Sequence, residues 1–288
     1  MRQNQRLKHL HYQCVGQYVP WTRSYEYTCS YQLRTLDIHF HEPDPIYFGK
    51  LFHTIKDFLP DLQRLCLGTY DDERDLSTEF NIGSSCRFNH NLRELSLYGM
   101  NIMSMFKVIT QVFVFSKLHR LTIWNCTGTE NFLQDLRGAF LEKSMDLRHL
   151  AVSSNEILKH RNLYATLGDI FKSSHSLTSL HLCWLDLEPG ILYFDGIQEP
   201  NPYDIVSTLM PLCRSLRSLS LHDSHAVNVE YIGEYDSPEL NLLNRPSMNF
   251  LCSKFTNLQQ FGISIPDNLH GGYGQKDLMN GIYKDLVS

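Results

Sequence analysis

Histidines one residue apart occur at His9/His11 and His39/His41. On an extended chain that spacing puts both imidazoles on one face, a geometry open to a metal ion. Inside the His-x-His motifs themselves no Asp, Glu or Cys supplies a third ligand, and no His-Glu-x-x-His helix occurs. With fourteen histidines spread over the chain, a solvated-surface reading outweighs a metal. Eight cysteines stand at 14, 29, 66, 86, 126, 183, 213 and 252 without any Cys-x-x-Cys pairing. They read as reduced packing residues, which places the protein in the cytosol or nucleus. There is no nucleophile elbow, phosphate-binding glycine loop or dinucleotide fingerprint, and Gly271-Gly272-Tyr273-Gly274 reads as a turn. No catalytic residue, cofactor or metal is expected, and the chain is not expected to be an enzyme.

The elements that would carry any site follow from the leucines. They fill 42 of 288 positions, in a chain that is 42% hydrophobic and 20% charged, so a packed fold is expected. A net charge of −5 argues against a general nucleic-acid binder. The longest apolar run, near Val108 to Phe115, is far short of the roughly 20 residues of a membrane helix, and residues 1–13 show no secretory apolar core.

Leu-x-x-Leu-x-Leu, with apolar replacements, recurs nine times, beginning at Leu7, Leu33, Leu62, Leu92, Leu118, Leu147, Leu177, Leu216 and Leu258. The steps are 26, 29, 30, 26, 29, 30, 39 and 42 residues. The last two apolar positions of each motif have period 2 and predict a short strand. Helical spacing follows in Phe48, Leu51, Phe52, Ile55, Phe58 and Leu59, in Phe106, Ile109, Val112 and Phe113, and in Phe132, Leu133, Leu136, Phe140 and Leu141. Thr129 is the expected N-cap of the third. Units this small cannot bury their own apolar faces, so stacking is required. The expectation is an α/β solenoid over 1–265, a horseshoe with about nine parallel strands inside and helices outside. Residues 266–288 are expected to be a tail or cap, with a short helix through Leu278, Ile282 and Leu286.

This pattern resembles the leucine-rich repeat family, in its longer α/β form, from residue 7 to about 265. The family's Asn or Cys three positions after the last leucine is met by Cys126 and Asn155; Val15, His41, Tyr70, Met100, Leu185, Ser224 and Pro266 stand there elsewhere. Stretches such as FLPDLQRLCL, NLRELSLYGM and LMPLCRSLRSLSL resemble the repeats of F-box proteins, particularly divergent fungal ones. That resemblance implies a substrate-binding module of a cullin-RING ubiquitin ligase, whose adaptor is held by an N-terminal F-box. No F-box is recognisable, since the first motif starts at Leu7. Six preceding residues are too few for a polar cap, so either the chain is truncated, which is the expectation, or an N-terminal partner covers the edge. A stand-alone scaffold or inhibitor-like repeat protein is the alternative.

Partner-binding candidates lie on two surfaces. Arg34, Arg64, Arg93, Arg120, Arg148 and Arg217 recur just before the second leucine and could form a positive stripe, although solubilising strand entrances explain them more simply. Tyr98 and Trp124 follow the last apolar residue of adjacent motifs, with Trp184 two repeats on, and exposed aromatics there would anchor a protein. The long segments after strands seven and eight carry acidic residues, among them Glu230, Glu234 and Asp236, interleaved with tyrosines. They form either an acidic rim for a basic partner or solvated insertions, and the latter is favoured. A protein partner on the concave face or rim is expected, without membrane or nucleic acid.

Overall fold

In the computed structural model, residues 8–14, 33–40, 51–53, 55, 59–75, 91–103, 105–142, 145–154, 160–184, 207–223 and 245–263 are described. The fold is α/β, and the chain divides into two compact units after Ser154, inside the span expected to form one solenoid.

The first unit holds β1 (His9–Cys14), β2 (Thr35–Phe40), β3 (Arg64–Asp75), β4 (Glu94–Asn101), β5 (Arg120–Trp124) and β6 (His149–Ser154). Each pairs in parallel with the next in chain order. Between β4 and β5 lies α1 (Met105–Thr110), and between β5 and β6 lies α2 (Thr129–Glu142). The described part of the second unit holds α3 (His160–Ser173), β7 (Ser179–Trp184), β8 (Ser218–Asp223), α4 (Arg245–Lys254) and β9 (Gln260–Ile263). Its three described strands are again parallel and in order.

The leucines do what their spacing requires. Leu36, Leu65, Leu95, Leu121, Leu150, Leu180 and Leu219 are at most 1% exposed. The opening leucines Leu33, Leu62, Leu92, Leu118, Leu147, Leu177 and Leu216 are buried with them. Buried rows on the helices complete the core: Met105, Phe106, Val108 and Ile109 on α1, Phe132, Leu133, Leu136 and Phe140 on α2, and Leu167, Ile170 and Phe171 on α3. Apolar area removed from water at about 25 cal/mol per Å² is the main favourable contribution to such a fold.

A joint repeats at the strand entrances within each unit. The carbonyl of the residue after the opening leucine accepts two amides from the next repeat. Lys8 O takes Arg34 N and Thr35 N at 2.9 and 3.0 Å, and Arg34 O takes Gln63 N and Arg64 N at 2.8 and 2.9 Å. Gln63, Arg93 and His119 repeat it in the first unit, and Thr178 and Arg217 in the second.

Three local expectations change. Thr129 is not the N-cap of α2: it is the first helical residue, and its hydroxyl donates to Cys126 O at 2.8 Å. Gly128 precedes it, and its carbonyl accepts from Phe132 N. Leu141 does not join the buried face and is 66% exposed, because it follows Phe140 by one residue and so turns off that stripe. The helix α3 was not anticipated, although Leu163, Thr166, Leu167, Ile170 and Phe171 carry its spacing. Among the described residues, no helix is long and apolar enough to cross a membrane. Residues 266–288 lie outside the described residues.

Candidate functional site

Alternation divides each strand between the core and an open face. In β2 the buried residues are Leu36, Ile38 and Phe40, so Thr35, Asp37 and His39 point the other way. Parallel register lines these residues up with their neighbours in three rows. The row at the strand entrances is His9, Thr35, Arg64, Glu94, Arg120 and His149; the middle row is His11, Asp37, Cys66, Ser96, Thr122 and Ala151. The third runs His39, Gly68, Tyr98 and Trp124.

Among the described residues, the middle and third rows bring metal-ligating side chains together on β1, β2 and β3. His11 Nδ1 is 2.8 Å from Asp37 Oδ2, and His39 Nε2 is 3.2 Å from Asp37 Oδ1. Cys66 Sγ lies 3.9 Å from His39 Nε2. One donor atom each from Asp37, His39 and Cys66 falls within 4.8 Å of the other two. Gly68 makes this possible, since a Cβ there would collide with His39 Nδ1 and sit 2.7 Å from its Cε1. The His39 ring occupies that space and reaches Tyr98, with ring centroids 6.2 Å apart.

Electrostatics tie the cluster together. Burial would raise the Asp37 carboxyl, but the Cys66 thiol and the His11 and His39 rings outweigh it and hold the group below its ordinary 3.8. Burial first, and then the Asp37 carboxylate, push the Cys66 thiol well above its usual range. A thiol held protonated in this way is the reverse of an activated nucleophile, although a histidine stands beside it. Burial also raises the Tyr98 phenol, and Cys66 adds to the effect.

The arginines form no single stripe. Only Arg64 and Arg120 share the entrance row, and Glu94 stands between them in register. Arg64 Nε binds Glu94 Oε2 at 2.7 Å. Arg34, Arg93, Arg148 and Arg217 sit one residue earlier, directly after the opening leucines. There Arg93 donates to Lys117 O at 3.1 Å, and Arg148 makes two bonds to Asp146, at 3.3 and 2.8 Å. His119 Nε2 lies 3.0 Å from the same carboxylate. The row expected to be uniformly positive is therefore of alternating sign at β3 to β5.

Tyr98 and Trp124 are register partners on the open face, both half-buried. Trp184 falls outside their row: Cys183 follows Leu182 as Tyr98 follows Leu97, and Trp184 comes one position later, paired with Asp223. Glu230, Glu234 and Asp236, and His41, lie outside the described residues.

The convergence of His39 with Asp37 and Cys66 was missed because a third donor was sought only inside each His-x-His motif, whereas Asp37 stands two residues before His39 and Cys66 lies on the next strand. The signal was present in another form. His11, Asp37 and Cys66 each stand four residues after an opening leucine (Leu7, Leu33 and Leu62) and thus share a column when the repeats are aligned. No family model and no curated protein matches the chain.

Proposed function

We propose that the chain is a leucine-rich repeat protein that recognises another protein on the open face of its sheet and has no catalytic role of its own. The observation that carries this reading is the Tyr98–Trp124 pair. Two large aromatics stand side by side on adjacent strands, half-exposed, beside the Arg64–Glu94–Arg120 row. Rigid aromatics flanked by charges of both signs suit a protein surface: the rings supply the buried contact and the charges select the orientation. The nine-fold leucine motif and the repeated entrance joint support the repeat assignment.

The finer reading is that these are substrate-binding repeats of an F-box-type ubiquitin ligase receptor acting in the cytosol or nucleus. It rests on the sequence resemblance stated above. The test is a pull-down of the tagged endogenous protein read by mass spectrometry. Recovery of a cullin and its adaptor supports the ligase reading. A partner set without ligase subunits replaces it with a stand-alone scaffold or inhibitor-like protein.

A further inference from the structure

We propose that Asp37, His39 and Cys66 form a zinc site on the open face, with Asp37 Oδ1, His39 Nε2 and Cys66 Sγ as protein ligands and the fourth position open to solvent. The inference is independent of the partner-binding reading.

Three observations carry it. The first is the donor set. Sulfur, imidazole nitrogen and carboxylate oxygen together are the ligands of zinc, whereas calcium and magnesium take oxygen. Tetrahedral zinc with bonds of about 2.0–2.3 Å spaces its ligand atoms roughly 3.2–3.6 Å apart. His39 Nε2 and Asp37 Oδ1 already stand at 3.2 Å, and Cys66 Sγ and His39 Nε2 at 3.9 Å. The Asp37 and Cys66 donor atoms lie within 4.8 Å of each other, so closure requires side-chain adjustment and no rearrangement of the strands.

The second is Asp37 Oδ1 itself. It is sealed from solvent, and neither the His39 ring nor the neighbouring Cys66 thiol meets it in hydrogen-bonding alignment. A buried carboxylate oxygen left in that state costs free energy that a cation would recover. The other oxygen faces His11 at 2.8 Å, which orients the carboxylate as outer-shell partners orient metal ligands.

The third is Gly68. Two adjacent strands, β2 and β3, supply the ligands, and the glycine on β3 provides the space in which the His39 ring lies. Three protein ligands and an open position describe the zinc sites that accept a further group, here water or a donor atom of a bound partner. On binding, Zn²⁺ displaces the Cys66 thiol proton, which leaves to solvent, and no electrons are transferred.

The test uses the full chain, freed of metal by chelation and then titrated with zinc against a chromophoric chelator. Stoichiometry is read by elemental analysis, and Co²⁺ serves as the spectroscopic probe. One zinc per chain is expected, together with a near-ultraviolet thiolate-to-cobalt charge-transfer band. C66S should abolish that band, and C66S and H39Q should each lose stoichiometric zinc while keeping a cooperative thermal transition in chelator. H11Q should keep the band and weaken zinc binding by about 10–100-fold. No stoichiometric zinc, no charge-transfer band in the wild type, or C66S and H39Q binding zinc as tightly as the wild type overturns the proposal. The wild-type cobalt spectrum decides the matter even if a variant fails to fold.

Discussion

The rings of His39 and Tyr98 meet across a strand that separates them. Their centroids are 6.2 Å apart, although β2 and β4 flank β3 on opposite sides, because Gly68 offers no side chain in between. The metal-donor cluster and the aromatic pair are thus neighbours through one glycine.

Gly68→Ala tests that dependence. The new methyl would meet the end of a side chain rather than backbone, so the His39 ring can swing aside while the strand stays in place. Destabilisation of about 1–3 kcal/mol is expected in denaturant titrations. Zinc binding should fall as it does for H39Q. Wild-type zinc affinity in Gly68→Ala would mean that the ring does not need this space.

Tyr98→Ala and Trp124→Ala are expected to weaken partner binding by about tenfold or more each, as truncated interface anchors do. The thermal midpoint should stay near that of the wild type. Binding can be followed by titration calorimetry once a partner is recovered. If folding fell in step with binding, both residues would be supports of the sheet rather than contacts.

The strand core and the helical surface are separable by a pair of truncations, on β5 and α2. Leu121, with no exposed surface, should cost about 2–5 kcal/mol as Leu121→Ala. Leu141, 66% exposed, should change stability by no more than about 0.5 kcal/mol as Leu141→Ala. Equal effects would show that Leu141 is covered in solution.

Two glycines of one segment should respond in opposite directions. Gly128 has φ 73°, and a Cβ there would lie 2.5 Å from Met103 N and 2.6 Å from its Cα. Gly128→Ala should therefore lose well over about 1 kcal/mol, since neither backbone can yield. Gly138, inside α2, has open space where an alanine methyl would stand, with no atom within 4 Å. Gly138→Ala should gain about 0.4–1 kcal/mol by restricting the unfolded chain. Thermal melts of the two variants check both signs.

His149 carries a pH dependence. Burial, then Arg120, with smaller effects from Arg148 and His119, outweigh the pull of Glu94 and hold it below its ordinary 6.5. The unfolded chain then takes up this proton at a higher pH than the folded chain does. The contribution to stability is complete above 6.5 and is lost as the pH falls below that towards the folded value. His149→Gln should flatten the stability profile between about pH 7 and pH 5. An unchanged slope in denaturation curves across that range would assign the dependence to other groups.

The strands were legible because burying one face imposes period 2 on nine leucine motifs, and even Leu258-Phe261-Ile263 keeps it. The helix α2 was legible from Phe132, Leu133, Leu136 and Phe140, while its start was not. Thr129 has the right residue type for a cap, but its hydroxyl is used by the Cys126 carbonyl. The arginines looked like one row because their positions near the second leucine differ by a single residue, and in a strand one residue reverses the face. The site was hidden for a related reason. Asp37 and His39 share a strand, but His11 and Cys66 stand 26 and 29 residues from Asp37 in sequence, and only strand register makes them its neighbours.

The two-amide joint has a consequence for how such a chain can change length. Each joint fixes a strand against its predecessor through one carbonyl, whatever lies between. The spans that close identically run from 26 residues, between Leu7 and Leu33, to 42, between Leu216 and Leu258. Spacing is set at the joint and length is stored outside it. Segments between joints can grow, shrink or be exchanged as cassettes, and the open-face rows keep their alignment.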